Sequence, residues 1–533
     1  MRAVTLAAVV LPLIAACTKA PEVQPPAPAA RKAEIEWVHA SAPADIDGAF
    51  GRARQEAHPV FLFWTAAWCP PCSQVKSTIF TRTDFIERSR SFVPVYVDGD
   101  TPSGQSLGRR FGVSGYPTMV LLRPDGSEIT RLAGSVDPAK YMQVLDHGLA
   151  GGASARQALE AALAGQPLSP DDWRLLAYYS WEGDDDGLIK SDAAAATMLK
   201  LAQSCPPAQR ESASRLTLLA IAAAAKVAEK NPGKPVSAAA RADALASLQS
   251  ILARPDLMRE HYDLIAQYAD TLVTFTTAAK SPARKQLVDA LDAALDQLAQ
   301  DSTLPNAARV WVVSAKVDIA RIDNKTGPLP DALLAQVREQ AAWADRSTSG
   351  VEERQSVITA AGSMLADAGL LDESDALLAA ELTRSHSPYY YMVELAANAR
   401  KRKTPEGNAA AIEWSRKAYQ ASQGPATRLQ WGGIYVNALI ELAPTDSARI
   451  ESTSAGIIDE AAQLPDGFSG RSRRSLERLS TRLQKWNGNH RHDATLVRLH
   501  EKMADVCTST VVEAGDRAAC EQLFTTGKPG KHA

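Results

Sequence analysis

The feature that most constrains this chain is a pair of cysteines placed directly after a run of apolar residues. The motif Trp68-Cys69-Pro70-Pro71-Cys72 closely follows residues 60–64, a run typical of a strand buried on both faces of a sheet. Proline favours the first position of a helix, so the motif is predicted to open one. Cys69 then lies at the helix N-terminus, where the helix dipole and free N–H groups favour the thiolate. The pattern predicts that Cys69 attacks a disulfide and that Cys72 resolves the mixed disulfide.

The residues around this motif alternate between strand and helix patterns. Pro124-Asp125-Gly126 indicates a hairpin between two strands, and Asp137-Pro138 is typical of a helix start. The order predicts an α/β domain over residues 34–150 that ends in an antiparallel hairpin and a last helix. Strands are predicted at 35–39, 60–64, 92–97, 118–122 and 128–132, and helices at 45–57, 70–88, 107–111 and from 138 onward.

A second motif lies downstream, where Phe111-Gly112-Val113 leads to Gly115-Tyr116-Pro117-Thr118 at the start of a predicted strand. An X-Pro bond such as the one before Pro117 can be cis. With both motifs, residues 35–149 resemble the thioredoxin superfamily. Within it they look most like the periplasmic C-terminal (gamma) domain of the DsbD reductase, through His58-Pro59-Val60, Ser77-Thr78-Ile79-Phe80 and Val95-Tyr96-Val97-Asp98.

This resemblance implies a thioredoxin fold with Cys69 as an exposed nucleophile and Cys72 as a buried resolving thiol. It implies protein thiols and disulfides as substrates, a membrane reductase as electron donor, and no cofactor beyond the redox-active disulfide. Pro117 would be a cis-proline facing the cysteines, with Trp68 and Tyr116 flanking the groove where substrate backbone docks. The full set of expected groove residues is Trp68, Pro70, Pro71, Tyr116, Pro117 and Thr118.

The chain departs from the family at the position six residues before the first cysteine. Many members have a buried acid there, which assists proton transfer to and from the resolving thiol, whereas this chain has Phe63. No Asp or Glu occurs between Ala57 and Cys72. Proton transfer must therefore use water or another group.

A zinc site is the alternative interpretation of a Cys-x-x-Cys motif. Structural zinc takes four ligands, usually from a second such pair. The remaining cysteines downstream, Cys205, Cys507 and Cys520, are widely scattered and form no second Cys-x-x-Cys motif. We therefore expect no metal at Cys69 and Cys72.

The first residues indicate a segment that directs export of the protein, rather than a part of the folded domain. Residues 3–16 are almost wholly apolar, too short to span a bilayer but long enough for a signal peptide. Leu13-Ile14-Ala15-Ala16-Cys17 resembles a bacterial lipobox, which implies cleavage after residue 16 and a lipid on Cys17. Thr18 after the cysteine favours the outer membrane, and residues 17–33 form a Pro/Ala-rich tether. The alternative is an ordinary signal peptide with an incidental cysteine.

From residue 151 to 533 strand signals vanish and alanine-rich helix patterns take over. Ser169-Pro170 and Ser281-Pro282 are typical helix starts, and Gly369 separates two helical segments. Short helices joined by Gly- or Pro-bearing turns favour an all-α helical-repeat region, a tetratricopeptide-like solenoid without the full repeat signature. The alternative is an irregular α-helical domain.

Other residue groups in this helical region admit two interpretations each. Cys507 and Cys520 form either a structural disulfide or two buried thiols, and Cys205 is expected to be a small buried residue. His490-Arg491-His492 with His500 suggests a solvated loop more than a metal site. The basic run 400–403 suggests a solvated helix end. The aromatic residues either pack in the core or line a groove for a partner: Tyr389, Tyr390, Tyr391, Trp414 and Trp431.

The composition excludes two classes of protein. Six cysteines in 533 residues exclude a disulfide scaffold, and a formal net charge of -3 gives no basic footprint for nucleic acid. A lipid anchor would be the sole membrane attachment. The sequence thus predicts a periplasm-facing thiol–disulfide oxidoreductase that reduces or exchanges disulfides of envelope proteins. The alternative is an envelope protein-binding scaffold in which the redox domain is regulatory.

Overall fold

The computed structural model describes residues 34–113, 115–181, 187–231, 233, 236–509, 517 and 520–525. The expected signal peptide at 1–16, the lipidation site Cys17 and the tether at 17–33 lie outside the described residues. The chain from Ile35 onward forms one compact unit. In the described part of the chain no helix is both long and apolar enough to cross a membrane.

A five-stranded mixed sheet organises the first part of this unit. Its strand order is β1-β3-β2-β4-β5, with β1, β3 and β2 parallel and with β4 and β5 antiparallel to their neighbours. Every residue of the central strand β2 is buried, as the continuous apolar run predicted. The strands are β1 Val38–Ala40, β2 Val60–Thr65, β3 Val93–Asp98, β4 Thr118–Leu122 and β5 Glu128–Leu132.

Five helices flank the sheet, and one of them differs from its prediction. The helix expected over 70–88 is two helices, because the chain turns at Phe80 and places that ring 4.8 Å from the ring of Phe63 in the core. Asp137 caps the last helix through the N–H of Ala139, as its sequence predicted. The helices are α1 Pro43–Glu56, α2 Pro70–Thr78, α3 Thr83–Arg88, α4 Gly104–Arg110 and α5 Pro138–Leu149.

The rest of the described chain is helical, and the expected helical-repeat region is confirmed. Most of these helices pack against their next or next-but-one neighbour in the chain, as in stacked helical hairpins. Ser169 and Ser281 cap their helices, and Gly369 ends one in a left-handed conformation. The helices are α6 Ala155–Leu163, α7 Pro170–Ala177, α8 Ala194–Ser204, α9 Arg210–Lys230, α10 Ala238–Leu252, α11 Pro255–Glu260, α12 Tyr262–Thr276, α13 Pro282–Gln300, α14 Asn306–Arg321, α15 Asp331–Ser347, α16 Val351–Ala368, α17 Leu371–Glu381, α18 Pro388–Lys401, α19 Pro405–Ala421, α20 Pro425–Leu442, α21 Ser447–Ala462, α22 Gly470–Trp486 and α23 Asp493–Ser509.

One hydrophobic cluster is shared by the α/β domain and the first helices of the helical region. Buried residues of β2 and β4, such as Phe61 and Leu121, belong to the same cluster as Leu159 of α6, Trp173 of α7 and Leu216 of α9. The position near 150 is therefore a change of secondary structure, but not a break between two cores. This continuity orients the helical region with respect to the sheet.

A buried ion pair at the start of the helical region gives a stability prediction. The guanidinium of Arg215 donates to both carboxylate oxygens of Asp263, and both side chains are at most 4% exposed. The Arg215→Met substitution leaves a buried, unpaired carboxylate. We expect it to lower the free energy of unfolding by about 3–5 kcal/mol, measured by chemical denaturation. Lys285→Met, which breaks an exposed pair with Asp289, is the control and should cost about 1 kcal/mol or less. Equal losses would contradict this assignment.

Candidate active site

The first turn of α2 positions the two cysteines. Cys69 is the N-cap residue, Pro70 follows it, and the two sulfurs form a disulfide with the Cα atoms 5.2 Å apart. The backbone N–H of Cys72 points at the sulfur of Cys69, with the nitrogen 3.2 Å away. In the reduced protein this N–H and the start of the helix stabilise a thiolate on Cys69.

The segment 115–118 lies next to this turn. The Tyr116-Pro117 peptide bond is cis, and the Tyr116 ring packs on Trp64 at 4.4 Å and edge-on to Trp68 at 5.9 Å. The side chain of Gln105 donates to the Tyr116 hydroxyl at 2.8 Å. Burial raises the pKa of Tyr116, so its ring stays neutral. The structure thus brings together the two motifs that the sequence analysis singled out.

Phe63 occupies an apolar cluster beneath the cysteines and belongs to the same core cluster as both of them. Its ring lies 5.6 Å from Tyr96 and 6.0 Å from Trp37. Asp98 lies on the neighbouring strand, opposite Thr65, and burial raises the pKa of its carboxyl group. Asp98 is therefore a half-buried acid near this end of the sheet, on a different strand from Phe63.

The family model described as "Thioredoxin-like domain" matches residues 46–149. Residues 46–149 are a thioredoxin-like domain. The thiol:disulfide interchange protein DsbD of Pseudomonas fluorescens is 32% identical over 105 residues, which cover 19% of this chain and 18% of that protein. The thiol:disulfide interchange protein DsbD 1 of Pseudomonas aeruginosa is 30% identical over 108 residues, which cover 20% and 18%.

The matched region spans less than a fifth of the length of these relatives. A solved thioredoxin from Thermus thermophilus is 28% identical to the chain; the match covers 22% of this chain and 90% of that one, with a TM-score of 0.19. The expected likeness to DsbD thioredoxin-like domains is confirmed for this part of the chain.

The accessibility of Cys69 differs from what the resemblance implied. Cys69 was expected to be exposed, but it is 2% exposed, and Cys72 is fully buried. Among the other expected groove residues, Pro71 is exposed, Trp68, Tyr116 and Pro117 are half-buried, and Pro70 and Thr118 are buried. The physical reason is that the helical region packs over the thioredoxin-like domain at the cysteines.

Aromatic rings and one arginine of the helical region lie on Trp68. Tyr390 of α18 stacks on it at 5.9 Å, and Trp431 of α20 meets it edge-on at 5.1 Å. The guanidinium of Arg471, on α22, lies 4.6 Å from the Trp68 ring and 5.3 Å from the Tyr116 ring. Cation–π contacts of this kind are strongest where water is excluded.

Side chains of the helical region also bind the backbone of the loop before Cys69. The amide of Gln355 on α16 donates to the carbonyl of Trp68 at 3.2 Å. A ring nitrogen of His386 lies 2.9 Å from the carbonyl oxygen of Ala67. We call Gln355, His386, Tyr390, Trp431 and Arg471 the cover.

Asp100 fixes the cover to the thioredoxin-like domain. Its carboxylate accepts a hydrogen bond from the indole N–H of Trp68 at 2.8 Å and from the backbone N–H of Thr427 at 3.0 Å. Thr427 lies in the first turn of α20, which has no side-chain cap within its own sequence. Asp100 therefore caps a helix more than 300 residues away, where its negative charge also suits the helix dipole.

Two more helix starts are capped across the same contact. Asp466 accepts from the backbone N–H groups of Gln105 and Ser106 in α4, at 2.9 and 3.3 Å. In return, the side chain of Gln105 accepts from the backbone N–H of Arg471 in α22, at 2.7 Å. Neither helix has a side-chain cap of its own. This reciprocal capping makes the contact specific, at about 1 kcal/mol for each cap.

The polar residues of this contact could not be predicted from the sequence, because no local pattern identifies them. A weak signal was available at α20, which begins Gly424-Pro425 without a nearby capping residue. For the aromatic residues 389–391, 414 and 431 the sequence left two interpretations open: they pack in the core, or they line a groove for a partner. In the structure Tyr389 and Trp431 are buried, and Tyr390 packs against Trp68, so the groove they form is occupied by the chain itself.

The remaining cysteines are placed away from the dithiol. Cys507 and Cys520 form a disulfide, with the Cα atoms 6.0 Å apart. Cys205 is a free thiol, and burial raises its pKa to about 12. It is therefore protonated at neutral pH and is a poor nucleophile.

The histidine group does not converge on one point. His490 pairs with Asp493, His492 stacks on Trp486, and His500 contacts the carbonyl oxygen of Leu523. Within the described residues no three metal-ligating side chains come together. In the basic run, Arg400 and Arg402 form ion pairs with acidic residues of neighbouring helices.

Proposed function

We propose that this protein is an envelope thiol–disulfide oxidoreductase that reduces disulfides of protein substrates through Cys69 and Cys72. The observation that carries the proposal is the start of α2, where the Cys72 N–H points at the sulfur of Cys69 within a thioredoxin-like domain. The likeness to two thiol:disulfide interchange proteins supports thiol–disulfide exchange at this cysteine pair, and the reductive direction is part of the proposal.

The reaction follows from the two thiols. The Cys69 thiolate attacks one sulfur of a substrate disulfide, forms a mixed disulfide and releases the other substrate sulfur as a thiolate. The Cys72 thiolate then attacks the Cys69 sulfur, which releases the second substrate thiol and leaves the Cys69–Cys72 disulfide. Two electrons pass to the substrate, and a membrane reductase supplies two more to the Cys69–Cys72 disulfide by thiol–disulfide exchange, in which a donor dithiol is oxidised and the Cys69–Cys72 dithiol is restored. Lipidation at Cys17 would hold the protein on the periplasmic side of the outer membrane.

The buried nucleophile adds a requirement to this proposal. A substrate sulfur must approach Cys69 in line with the bond that breaks, so the cover must move away from Trp68 before exchange. The cover is held by hydrogen bonds and aromatic contacts between the surfaces of the thioredoxin-like domain and the helical region. Contacts of this kind can separate without unfolding either surface.

A second candidate function is a protein-binding scaffold whose contacts depend on the redox state of the cysteine pair. The packing of α16, α18, α20 and α22 around the dithiol favours it. In that case the dithiol changes state to alter the helical surface, and no substrate disulfide is reduced.

Trapping the mixed disulfide separates the two candidates. In the purified full-length chain, Cys72→Ala removes the resolving thiol, so attack by Cys69 on an oxidised model protein should end in a stable covalent complex. We expect that complex in mass spectra, linked through Cys69 and reversed by a reductant. Cys205→Ala, which removes a half-buried free thiol, is the matched control and should form no stable complex.

The trapping experiment is repeated with the double variant Arg471→Ala/Cys72→Ala, so that the cover does not block access of the substrate to Cys69. A Cys69-linked complex in either form supports the oxidoreductase. Absence of the complex in both forms, with Cys69 shown to be alkylated by a small reagent, would overturn it in favour of the scaffold.

A further inference from the structure

A cavity of about 400 Å³ lies between α20, α22 and the segment before Pro117. One wall is formed by four arginines of α22, spaced so that they share a helix face. The opposite wall includes Tyr116 and Gly433. No acidic residue is among the described residues that line it. The four arginines are Arg471, Arg474, Arg478 and Arg482.

Two of these arginines have only weak hydrogen-bond partners within the described part of the chain. Arg478 reaches the hydroxyl of Ser475 at 3.4 Å, and Arg482 reaches the carbonyl oxygen of Gly433 at 3.5 Å. Both distances are at the limit for a hydrogen bond, and neither guanidinium is within ion-pair distance of a described carboxylate. Burial and the neighbouring arginines lower the pKa of Arg478. Like charges so placed repel one another unless an anion lies between them.

The shape of the cavity leaves room for such an anion. Gly433 is buried in the middle of α20, yet a Cβ atom placed there would meet no atom within 4 Å. A Cβ atom on Gly115, which is exposed, would likewise meet no atom within 4 Å. Both glycines therefore leave open space beside the arginines, and a volume of about 400 Å³ suits a small molecule.

We propose that this cavity binds a small polyanion, a molecule with two or more phosphate or carboxylate groups. Guanidinium groups bind both kinds of group through paired N–H donors. Because Arg471 belongs both to this cavity and to the cover, a bound anion contacts a residue that lies on Trp68. The proposed anion site depends on its lining residues, and it adds a binding activity to the proposed thiol–disulfide exchange.

Calorimetric titration of the full-length chain with pyrophosphate and with citrate tests the site. We expect saturable one-to-one binding of at least one of them, weakened at high ionic strength. Arg478→Ala should lower the affinity at least tenfold, and Arg478→Lys should restore part of it. Gly433→Leu, which fills the cavity without a change in charge, should lower it to a similar extent.

Lys485→Ala is the matched control, because it removes one positive charge from the same helix at an exposed position. It should change the affinity less than twofold. Binding of pyrophosphate alone assigns phosphate groups, and binding of citrate alone assigns carboxylates. No saturable binding of either, or an equal loss with Lys485→Ala, would overturn the proposal. Repeating the titration with Cys69→Ser keeps this result separate from the fate of the redox proposal.

Discussion

Arg471→Ala is expected to make Cys69 react with iodoacetamide about 30- to 150-fold faster in the reduced full-length chain. The side chain of Arg471 lies on Trp68 and Tyr116, donates to Gln430 and lies 3.6 Å from the carboxylate of Asp100. A desolvated cation–π contact and a charged hydrogen bond together contribute about 2–3 kcal/mol. If access to Cys69 requires the cover to open, that free energy shifts the open fraction by the stated factor.

The substitution spares the other supports of the site. Gln105 accepts from the backbone N–H of residue 471, so the cap on α22 remains in the variant. Arg400→Ala is the control, because that arginine forms an exposed ion pair with Glu441 away from the cover. It should leave the alkylation rate within about twofold, since exposed pairs contribute little. Equal rates for Arg471→Ala and the unmodified chain would show that the cover does not limit access to Cys69.

How much of the site the sequence could predict depends on how local each feature is. The dithiol motif follows β2 directly, so the strand, the turn and the helix start were all present within 15 residues. The segment 115–118 could be placed beside it through the resemblance. Burial of Cys69 could not be predicted, because it depends on side chains such as Trp431 that lie more than 300 residues away.

The fold shows the same division between local and distant causes. The α/β order and the helix starts at Ser169 and Ser281 follow from capping and periodicity, which are local. The break after α2 depends on where Phe80 packs, which is a tertiary effect. The start of α20 depends on Asp100, a residue of the other part of the chain. The sequence of a helix shows that it has no capping residue of its own, but it does not show which distant residue supplies the cap.

The cavity beside Tyr116 depends on both local and distant features of the sequence. The spacing of the α22 arginines predicts that they share a face, as the sequence alone allows. That this face borders the segment before Pro117 follows from the reciprocal caps, because Gln105 and Asp466 fix α22 against α4. The caps therefore position both the cover and the cavity.

Cys69→Ser is expected to lower the turnover of a model protein disulfide by on the order of 1,000-fold or more, because it removes the attacking thiolate. Cys72→Ser should also stop turnover, but only after one attack, since Cys69 keeps the N–H of residue 72 and the helix start that favour its thiolate. The two variants therefore differ in their products. Cys72→Ser accumulates a mixed disulfide, and Cys69→Ser accumulates none.

Cys205→Ser is the matched control for both variants. Its thiol is partly buried, and its raised pKa of about 12 keeps it protonated, so turnover should stay within about twofold. Thiol release from the oxidised model protein is measured with an excess of each pre-reduced variant from which the chemical reductant has been removed, because an added reductant would cleave the mixed disulfide. Persistent turnover in Cys69→Ser would place the nucleophile elsewhere. A mixed disulfide through residue 72 in that variant would reverse the roles, and Cys72 would then have to reach the substrate from its fully buried position beneath the cover.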